Sequence, residues 1–247
     1  MSVYTATSIQ TFVGYLDLTG QSRTVNFGPL TRQMKDSTTM ADGGYSCVLP
    51  GLINGEMSLN GYNDWTADVL DDELSVAQLG SQYPVTVAPN TSGTATAGDP
   101  CWLSRGVVST LSPLGAGTIG EVAGLDLSLP YDTVITRGQV AHPKAARTSD
   151  GNGTALTLTG PTAAQKLYAA LHVTAYSGFT NVVFKIQSDD GAGFGSATDR
   201  ITFATVTART SEWASVAGSF SSETHHRITW DVTGSGSVTF YAAVGVL

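Results

Sequence analysis

Alternation of apolar and polar residues in the second half of the chain most constrains its fold. Apolar side chains recur at every second position in residues 167–175, 182–186 and 238–246. Successive side chains of a β-strand point to opposite faces, so this period of two predicts strands and disfavours helices. Further strands are predicted near residues 155–158, 201–207, 212–217 and 228–232. About seven strands in about 95 residues predict a β-sandwich, of immunoglobulin-like or jelly-roll-like type, with turns at Gly178 and at residues 234–236.

The first half is also predicted to be β-rich, with one helix and one long loop. Strands are expected near residues 9–16, 22–28, 55–62, 84–88, 101–112 and 119–130. Residues 64–79 have the spacing of an amphipathic helix. Residues 29–48 have no period and are interpreted as a long loop, followed by a turn at Pro50 and Gly51. The chain is therefore predicted to be mainly β, with a single packed α-helix.

A boundary between two domains is predicted near residue 148. Residues 133–153 include Pro143 and several glycines, which suit an exposed joint. The strands that follow alternate fully, so the second part can bury a core of its own. We therefore expect one domain over residues 1–148 and a second over residues 149–247.

Negative charge is concentrated in the first part of the chain. Residues 1–144 carry 6 basic and 13 acidic side chains, a net of −7, whereas residues 145–247 carry 6 and 7, a net of −1. Only 13% of the residues are charged, and Ser, Thr and Gly are abundant. Nucleic-acid binding requires clustered Lys and Arg, so this composition excludes a protein that wraps DNA or RNA.

Motifs for catalysis or metal binding are sparse. The sequence contains neither Gly-x-Ser-x-Gly nor His-Glu-x-x-His. His225 and His226 are adjacent in a predicted strand and so point to opposite faces, and His172 is expected to point outward from its strand. Cys47 and Cys101 are expected to be reduced thiols, since two cysteines alone form neither a zinc site nor a disulfide framework. We expect no enzyme activity, no metal and no cofactor.

The order of elements carries the strongest functional signal. A strand at residues 21–27 is followed by the loop at 29–48 and then by residues 49–64, Leu-Pro-Gly-Leu-Ile-Asn-Gly-Glu-Met-Ser-Leu-Asn-Gly-Tyr-Asn-Asp, before the predicted helix. Residues 120–129 follow as a long alternating strand, and residues 166–246 as a sandwich. This order resembles the tail tube (major tail) proteins of long-tailed, non-contractile bacteriophages, many of which carry an appended β-sandwich.

The resemblance implies a structural role. Proteins of this family form homohexameric rings, and the rings stack into a tube that conducts genomic DNA during ejection. The first domain is then a tail-tube-type β-barrel or sandwich. The second domain lies outside the tube and is not needed to form the channel. The implied partners are further copies of the chain and other tail proteins, such as the tape measure and the tail terminator. The implied location is the tail of the virion, after assembly in the host cytoplasm.

The resemblance also assigns roles to individual residues. Contacts between stacked rings are expected from the loop residues Leu30, Arg32, Met34, Lys35, Met40 and Tyr45. Acids expected to line the lumen are Asp17, Glu56, Glu121 and Asp126. An acidic wall repels DNA and so lets it slide without specific binding.

A competing prediction comes from two tryptophans. Trp213 and Trp230 can stack on a sugar ring, which favours a carbohydrate-binding module that is secreted or on the virion surface. No apolar run approaches 18 residues, and the first residues lack the basic and apolar segments of a secretory signal. We therefore expect neither a transmembrane helix nor a signal peptide.

Overall fold

The computed structural model describes residues 8–39, 45–64, 73, 78–90, 93–112 and 122–247. These residues are mainly strand, which confirms the predicted fold class. The strands are β1 (Ser8–Val13), β2 (Leu16–Asp17), β3 (Ser22–Phe27), β4 (Thr31–Asp36), β5 (Val48–Asn54), β6 (Glu56–Tyr62), β7 (Gln82–Asn90), β8 (Pro100–Val107), β9 (Thr110–Ser112), β10 (Gly124–Pro130), β11 (Thr136–Arg147), β12 (Gly151–Asn152), β13 (Leu156–Thr157), β14 (Lys166–Asp189), β15 (Thr198–Thr202), β16 (Thr210–Ala217) and β17 (His225–Val246). Within the predicted helix, Glu73 is helical, while residues 65–72 and 74–77 lie outside the described residues.

The largest sheet runs through both halves of the chain. Its eleven strands follow the order β15-β14-β17-β11-β8-β7-β1-β2, with β12, β13 and β16 pairing beside this path. Strand β17 pairs with β14 on one side and with β11, β12 and β13 on the other. The latest strand in the chain therefore lies in the middle of the sheet.

Strands β14 and β17 form one long antiparallel ribbon that bends near its middle. The pairing joins residues 167–189 to residues 225–246, and the register shifts around Gly178. Gly178 and Gly234 have φ angles of 79° and 96°, in the left-handed region that favours glycine. The turns predicted at Gly178 and at residues 234–236 are therefore wrong, because these glycines bend continuous strands.

The bent ribbon folds over itself and encloses the largest apolar core. Phe184 comes from one half of the ribbon and Phe240 from the other, and their ring centroids lie 4.7 Å apart in an edge-to-face contact. Trp230 packs on Phe240 with the centroids 5.3 Å apart. The buried residues around them include Leu167, Leu171, Val173, Val182, Ile186, Ile228 and Val244. The alternation of the sequence thus identified the residues of both strands that face this core, except for Ala175, which is exposed.

The segment predicted as an exposed joint is instead strand β11. It pairs with β8 from the first part of the chain and with β17 from the last part. Val140 and Ala141 within it are fully buried. The exposed linker predicted for residues 133–153 is therefore wrong, since β11 is an inner strand of the sheet. The sheet continues across the predicted boundary at residue 148.

A buried cluster also joins the two parts of the chain. The rings of Phe12 and Tyr241 stack with their centroids 4.1 Å apart. His172 on β14 lies beside them, fully buried, with Nδ1 at 2.6 Å from the carbonyl oxygen of Gly14. The expectation that His172 points outward to solvent is therefore wrong, because β1, β2 and β7 cover that face of β14.

The four-stranded sheet has the order β3-β6-β10-β9 and covers a second apolar core. Met57 and Leu59 of β6 and Leu125, Leu127 and Leu129 of β10 are buried on its inner face. The remaining residues of these strands point outward and are mostly polar. This period of two is the one that the sequence predicted for residues 55–62 and 119–130, although the second strand begins at Gly124 and residues 119–121 lie outside the described residues.

Candidate assembly surfaces

Strands β4 and β5 form a two-stranded hairpin where the sequence predicted a loop and a turn. The pairing joins residues 31–36 to residues 48–54, so the ribbon extends roughly 20 Å at about 3.4 Å per residue. In the described part of the chain these two strands pair only with each other. The turn predicted at Pro50 and Gly51 is wrong, because Pro50 lies in β5 opposite Met34.

Large apolar side chains on this hairpin are exposed. Every residue of β4 is exposed, and so is nearly every residue of β5. The exposed fraction ranges from 53% for Val48 to 79% for Tyr45. The exposed apolar residues of the hairpin and its ends are Leu30, Met34, Tyr45, Val48, Leu49, Leu52 and Ile53. Contiguous apolar patches of more than a few hundred Å² mark interaction sites in soluble proteins.

The residues predicted to contact a neighbouring ring therefore lie on one projecting element. Leu30, Arg32, Met34, Lys35 and Tyr45 are all exposed on it, and Met40 lies outside the described residues. Val48, Leu49, Leu52 and Ile53 are exposed on the same hairpin and were not among the residues predicted to contact a neighbouring ring. Their signal was a mostly apolar strand with no polar alternation, which is typical of a strand with the same environment on both faces.

Among the described residues, two cations of the hairpin, Arg32 and Lys35, form no ion pair. Asp36 accepts hydrogen bonds from the hydroxyl and backbone N–H of Thr38, which lower the pKa of this carboxyl. Strands β4 and β5 carry a net charge of +1, but Asp42 in the segment between them makes residues 31–54 neutral, and the rest of the chain carries −8.

A groove of about 490 Å³ lies at the base of the hairpin. Its apolar lining includes Leu30, Ile53, Tyr131, Val134, Ile135 and Leu247. Gly55 follows β5 at the hairpin base, beside this groove. A Cβ at this position would lie 2.8 Å from Cδ2 of Leu30, which is too close without a shift of that side chain. Val134 and Leu247 are 38% and 51% exposed, so the groove is an open apolar surface.

The outer face of the four-stranded sheet is polar and holds two of the predicted lumen acids. Asp126 lies opposite Asn60 and accepts a hydrogen bond from its side-chain amide. Glu56 accepts a hydrogen bond of 3.2 Å from the hydroxyl of Ser128. Strands β6, β9 and β10 contain no Lys or Arg, whereas β3 of the same sheet contains the exposed Arg23. A shallow groove over this face is lined by Thr24, Ser58, Asn60, Thr110, Asp126 and Ser128.

The other two predicted lumen acids do not join this face in the described structure. Asp17 lies on β2 and forms an ion pair of 2.7 Å with Lys144 of β11. Glu121 lies outside the described residues. The alternation of β6 and β10 also places Asn60 and Ser128 on the acidic face, and the sequence analysis had not singled them out.

The two tryptophans proposed as a sugar platform do not form one. Trp230 is 4% exposed, and its Nε1 donates a hydrogen bond of 2.9 Å to the carbonyl oxygen of Ser149. Trp213 is partly buried on β16 and packs beside Tyr168. A stacking platform requires an exposed ring face, so Trp230 is unsuitable and the paired platform is wrong.

A cluster of Ser188, Glu223 and His226 lies at the end of the bent ribbon. The hydroxyl of Ser188 donates a hydrogen bond to Glu223, and Arg200 binds both groups. Nδ1 of His226 lies 2.9 Å from the carbonyl oxygen of Leu158. Ser188 and His226 are fully buried, so a substrate has no access to them. The cluster therefore stabilises the ribbon and the segments that contact it.

The described residues contain no cluster of three or more His, Cys, Asp or Glu side chains that could hold a metal ion. Cys47 is exposed and Cys101 is buried, and both are free thiols. Burial raises the pKa of Cys101, which keeps this thiol protonated and unreactive. Membrane-spanning helices, judged by length and apolar character, do not occur in the part of the chain that the structure describes.

Comparison with known proteins gives distant structural similarity and no sequence match. No protein-family model and no curated protein matches the chain. The tube-terminating cap of the anti-feeding prophage is 12% identical, with 56% of this chain and 93% of that chain covered and a TM-score of 0.41. A chain of the PVC sheath–tube complex, an extracellular contractile injection system in its extended state, is 13% identical, with the same coverage and a TM-score of 0.42.

A third similar structure covers nearly the whole chain. The Dit protein of SPP1, described as a hub adsorption apparatus protein of phages that infect Gram-positive bacteria, is 11% identical. The match covers 97% of this chain and 99% of that chain, with a TM-score of 0.36. All three structures are below 15% identity, so no residue role is transferred from them.

Proposed function

We propose that this chain is a structural subunit of a phage-type tail, which assembles into stacked rings around a channel for DNA. The observation that carries the proposal is the projecting hairpin β4–β5. An isolated two-stranded ribbon is at best marginally stable in water, and this one exposes seven large apolar side chains. A neighbouring copy would bury them and stabilise the ribbon, which makes the hairpin a contact between rings.

The polar face of the four-stranded sheet is suited to the channel wall. Glu56 and Asp126 lie on it among hydroxyl and amide side chains. Strands β6, β9 and β10 supply no cation that could hold a phosphate, and β3 at the edge of the sheet supplies one, the exposed Arg23, against these two carboxylates. Repeated around a ring of six, the two carboxylates would repel the DNA backbone, and DNA would pass without binding.

The proposal requires no cofactor and no catalytic group. The ring number of six, the DNA conduit and contacts with a tape measure and a tail terminator follow from the family resemblance and are part of the proposal. The location in a virion tail, after assembly in a host cytoplasm, is proposed on the same basis. A carbohydrate-binding role has less support, because Trp230 is buried.

Electron microscopy of the purified chain tests the proposal most directly. Negative-stain images, with light scattering on the same sample, should show rings or tubes. The sample should be followed from micromolar to near-millimolar concentration, because rings that depend on weak contacts form only at higher concentration. Monodisperse particles of 25.6 kDa over the whole range would rule out the stacked-ring function.

A further inference from the structure

We propose that the distal half of the hairpin of one copy docks in the groove at the hairpin base of a second copy. The donor surface consists of Met34, Val48 and Leu49. The acceptor surface is the groove lined by Tyr131, Val134, Ile135 and Leu247, with Leu30 and Ile53 at its edge. This inference rests on the self-assembly proposed above and names the surface that receives the hairpin.

Exposed apolar area supports a second copy as the occupant. The seven exposed apolar residues of the hairpin and its ends present on the order of 800 Å², which is close to what each partner buries in a stable protein interface. Two of them, Leu30 and Ile53, also line the groove, so this area includes part of the acceptor surface as well as the donor surface. Since each copy carries both surfaces, further copies of the same chain are sufficient to cover them.

Charge opposes this contact less than it opposes a contact between two bodies. Arg32 and Lys35 form no ion pair with any described residue, and residues 31–54, which also include Asp36 and Asp42, are neutral overall. Asp132 in the groove lining is paired with Arg105 at 2.9 Å, so the groove presents little net charge. The remainder of the chain carries −8, so a neutral hairpin avoids the repulsion that two bodies would meet.

The geometry makes the contact head-to-tail. Hairpin tip and groove are different surfaces, so the contact is heterologous when one copy donates to a second copy and accepts from a third. A contact of this heterologous type repeats and forms rings or filaments, whereas a self-complementary contact closes after two copies. The hairpin is therefore sufficient to drive open-ended stacking.

A mixing experiment with two charged variants tests the contact. Leu49→Lys disables the donor surface and leaves the groove intact, whereas Val134→Lys disables the groove and leaves the hairpin intact. Each side chain is exposed, so both variants should fold, which circular dichroism and the thermal midpoint will verify. Alone, each variant should self-associate at least tenfold more weakly than the wild type in sedimentation velocity. Mixed, they should form a 1:1 complex, because one intact donor meets one intact groove.

The outcomes separate this inference from the proposed function. If the wild type assembles and Val134→Lys assembles equally well, the groove is not the acceptor, although stacked rings remain supported. If both variants fail alone and also fail when mixed, the contact is not head-to-tail. A wild type that stays monomeric overturns the proposed function and the inference together. Val122→Lys, at an exposed apolar residue outside both surfaces, is the matched control and should assemble normally. Val134→Ser replaces Val134→Lys if the charged variant does not fold.

Discussion

Nε2 of His172 lies 2.8 Å from the hydroxyl oxygen of Thr86, inside the contact between β14 and β7. Nδ1 of the same ring faces the carbonyl oxygen of Gly14, which can only accept a hydrogen bond. Nδ1 therefore carries the proton, and Nε2 accepts the hydrogen bond from Thr86. The neutral imidazole thus joins the β1–β2 segment, β7 and β14, which come from both halves of the chain.

Acid should weaken this junction. Burial lowers the pKa of His172 to about 4, from the usual value near 6.5. The folded state prefers the neutral ring, so the stabilisation is fully present above pH 6.5 and is lost as the pH falls towards 4. The shift corresponds to about 3 kcal/mol at most. Burial, followed by the charge of Arg147, lowers the pKa of His142 to about 4 and adds to the loss.

Urea unfolding at pH 7.5 and pH 4.5 measures this effect. The wild type should lose about 2–3 kcal/mol or more of unfolding free energy between these values. His172→Gln should be less stable at pH 7.5 and should lose less on acidification. Ala175→Gln, at an exposed position on β14, changes no titratable group and should keep the wild-type pH dependence. If His172→Gln lost as much unfolding free energy as the wild type on acidification, protonation of His172 would not contribute to the loss of stability in acid.

Truncation after residue 148 should abolish folding of the remaining chain. The shortened chain lacks β14 and β17, so β11 loses one of its two partner strands, and Phe12 and Val140 become exposed. We expect no cooperative thermal transition and no ring formation. A truncated chain that melts cooperatively and forms thinner tubes would instead support a separable outer domain, as the sequence predicted.

The sequence predicted strands better than it predicted the way they are joined. Gly178 and the linker containing Pro143 were interpreted as breaks, because glycine and proline mark both turns and bends. Whether such a residue ends a strand in a turn or only bends it depends on whether the partner strand continues past it. That partner, β17, is more than 50 residues away in sequence. The burial of His172 was missed for a similar reason, since alternation identifies two faces of a strand but not what covers each one.

Removing the hairpin should stop assembly without unfolding the subunit. Thr31 and Asn54 lie opposite each other, so residues 32–53 can be replaced by Asn-Gly, which suits a two-residue hairpin turn. The exposed side chains that are lost belong to no core, so the thermal midpoint should change by only a few degrees. Self-association should fall at least tenfold in light scattering. Long tubes formed by this shortened chain would contradict a role of the hairpin in stacking.

Reversing the charge of the polar sheet face should convert a non-binding surface into a DNA-binding one. Glu56→Lys together with Asp126→Lys leaves the apolar inner face of the sheet unchanged, so assemblies should still form. They should retain labelled duplex DNA in a salt-dependent manner, whereas wild-type assemblies should not. The control is Asp190→Lys with Asp231→Lys, which makes the same charge change at exposed positions elsewhere. Equal DNA retention by the control would show that net charge alone is responsible.

The candidate surfaces were only partly predictable from the sequence. Glu56 and Asp126 were chosen because they lie in or beside alternating strands, and strand register then placed them on one face. Asp17 was chosen on the same basis and lies on the other sheet, paired with Lys144. Sequence spacing gives the face of a strand but not the sheet to which the strand belongs. That assignment depends on contacts between segments distant in sequence.

The central position of β17 determines when the chain can fold during synthesis. Residues 225–246 pair with β11 and β14, so the largest sheet cannot close until the ribosome has made nearly all of the described chain. Pairing over such long sequence separations is slow compared with local helix or hairpin formation. A growing chain therefore lacks the closed sheet until residues 225–246 have been made, and the assembly proposed above would require chains that have been synthesised at least to this point.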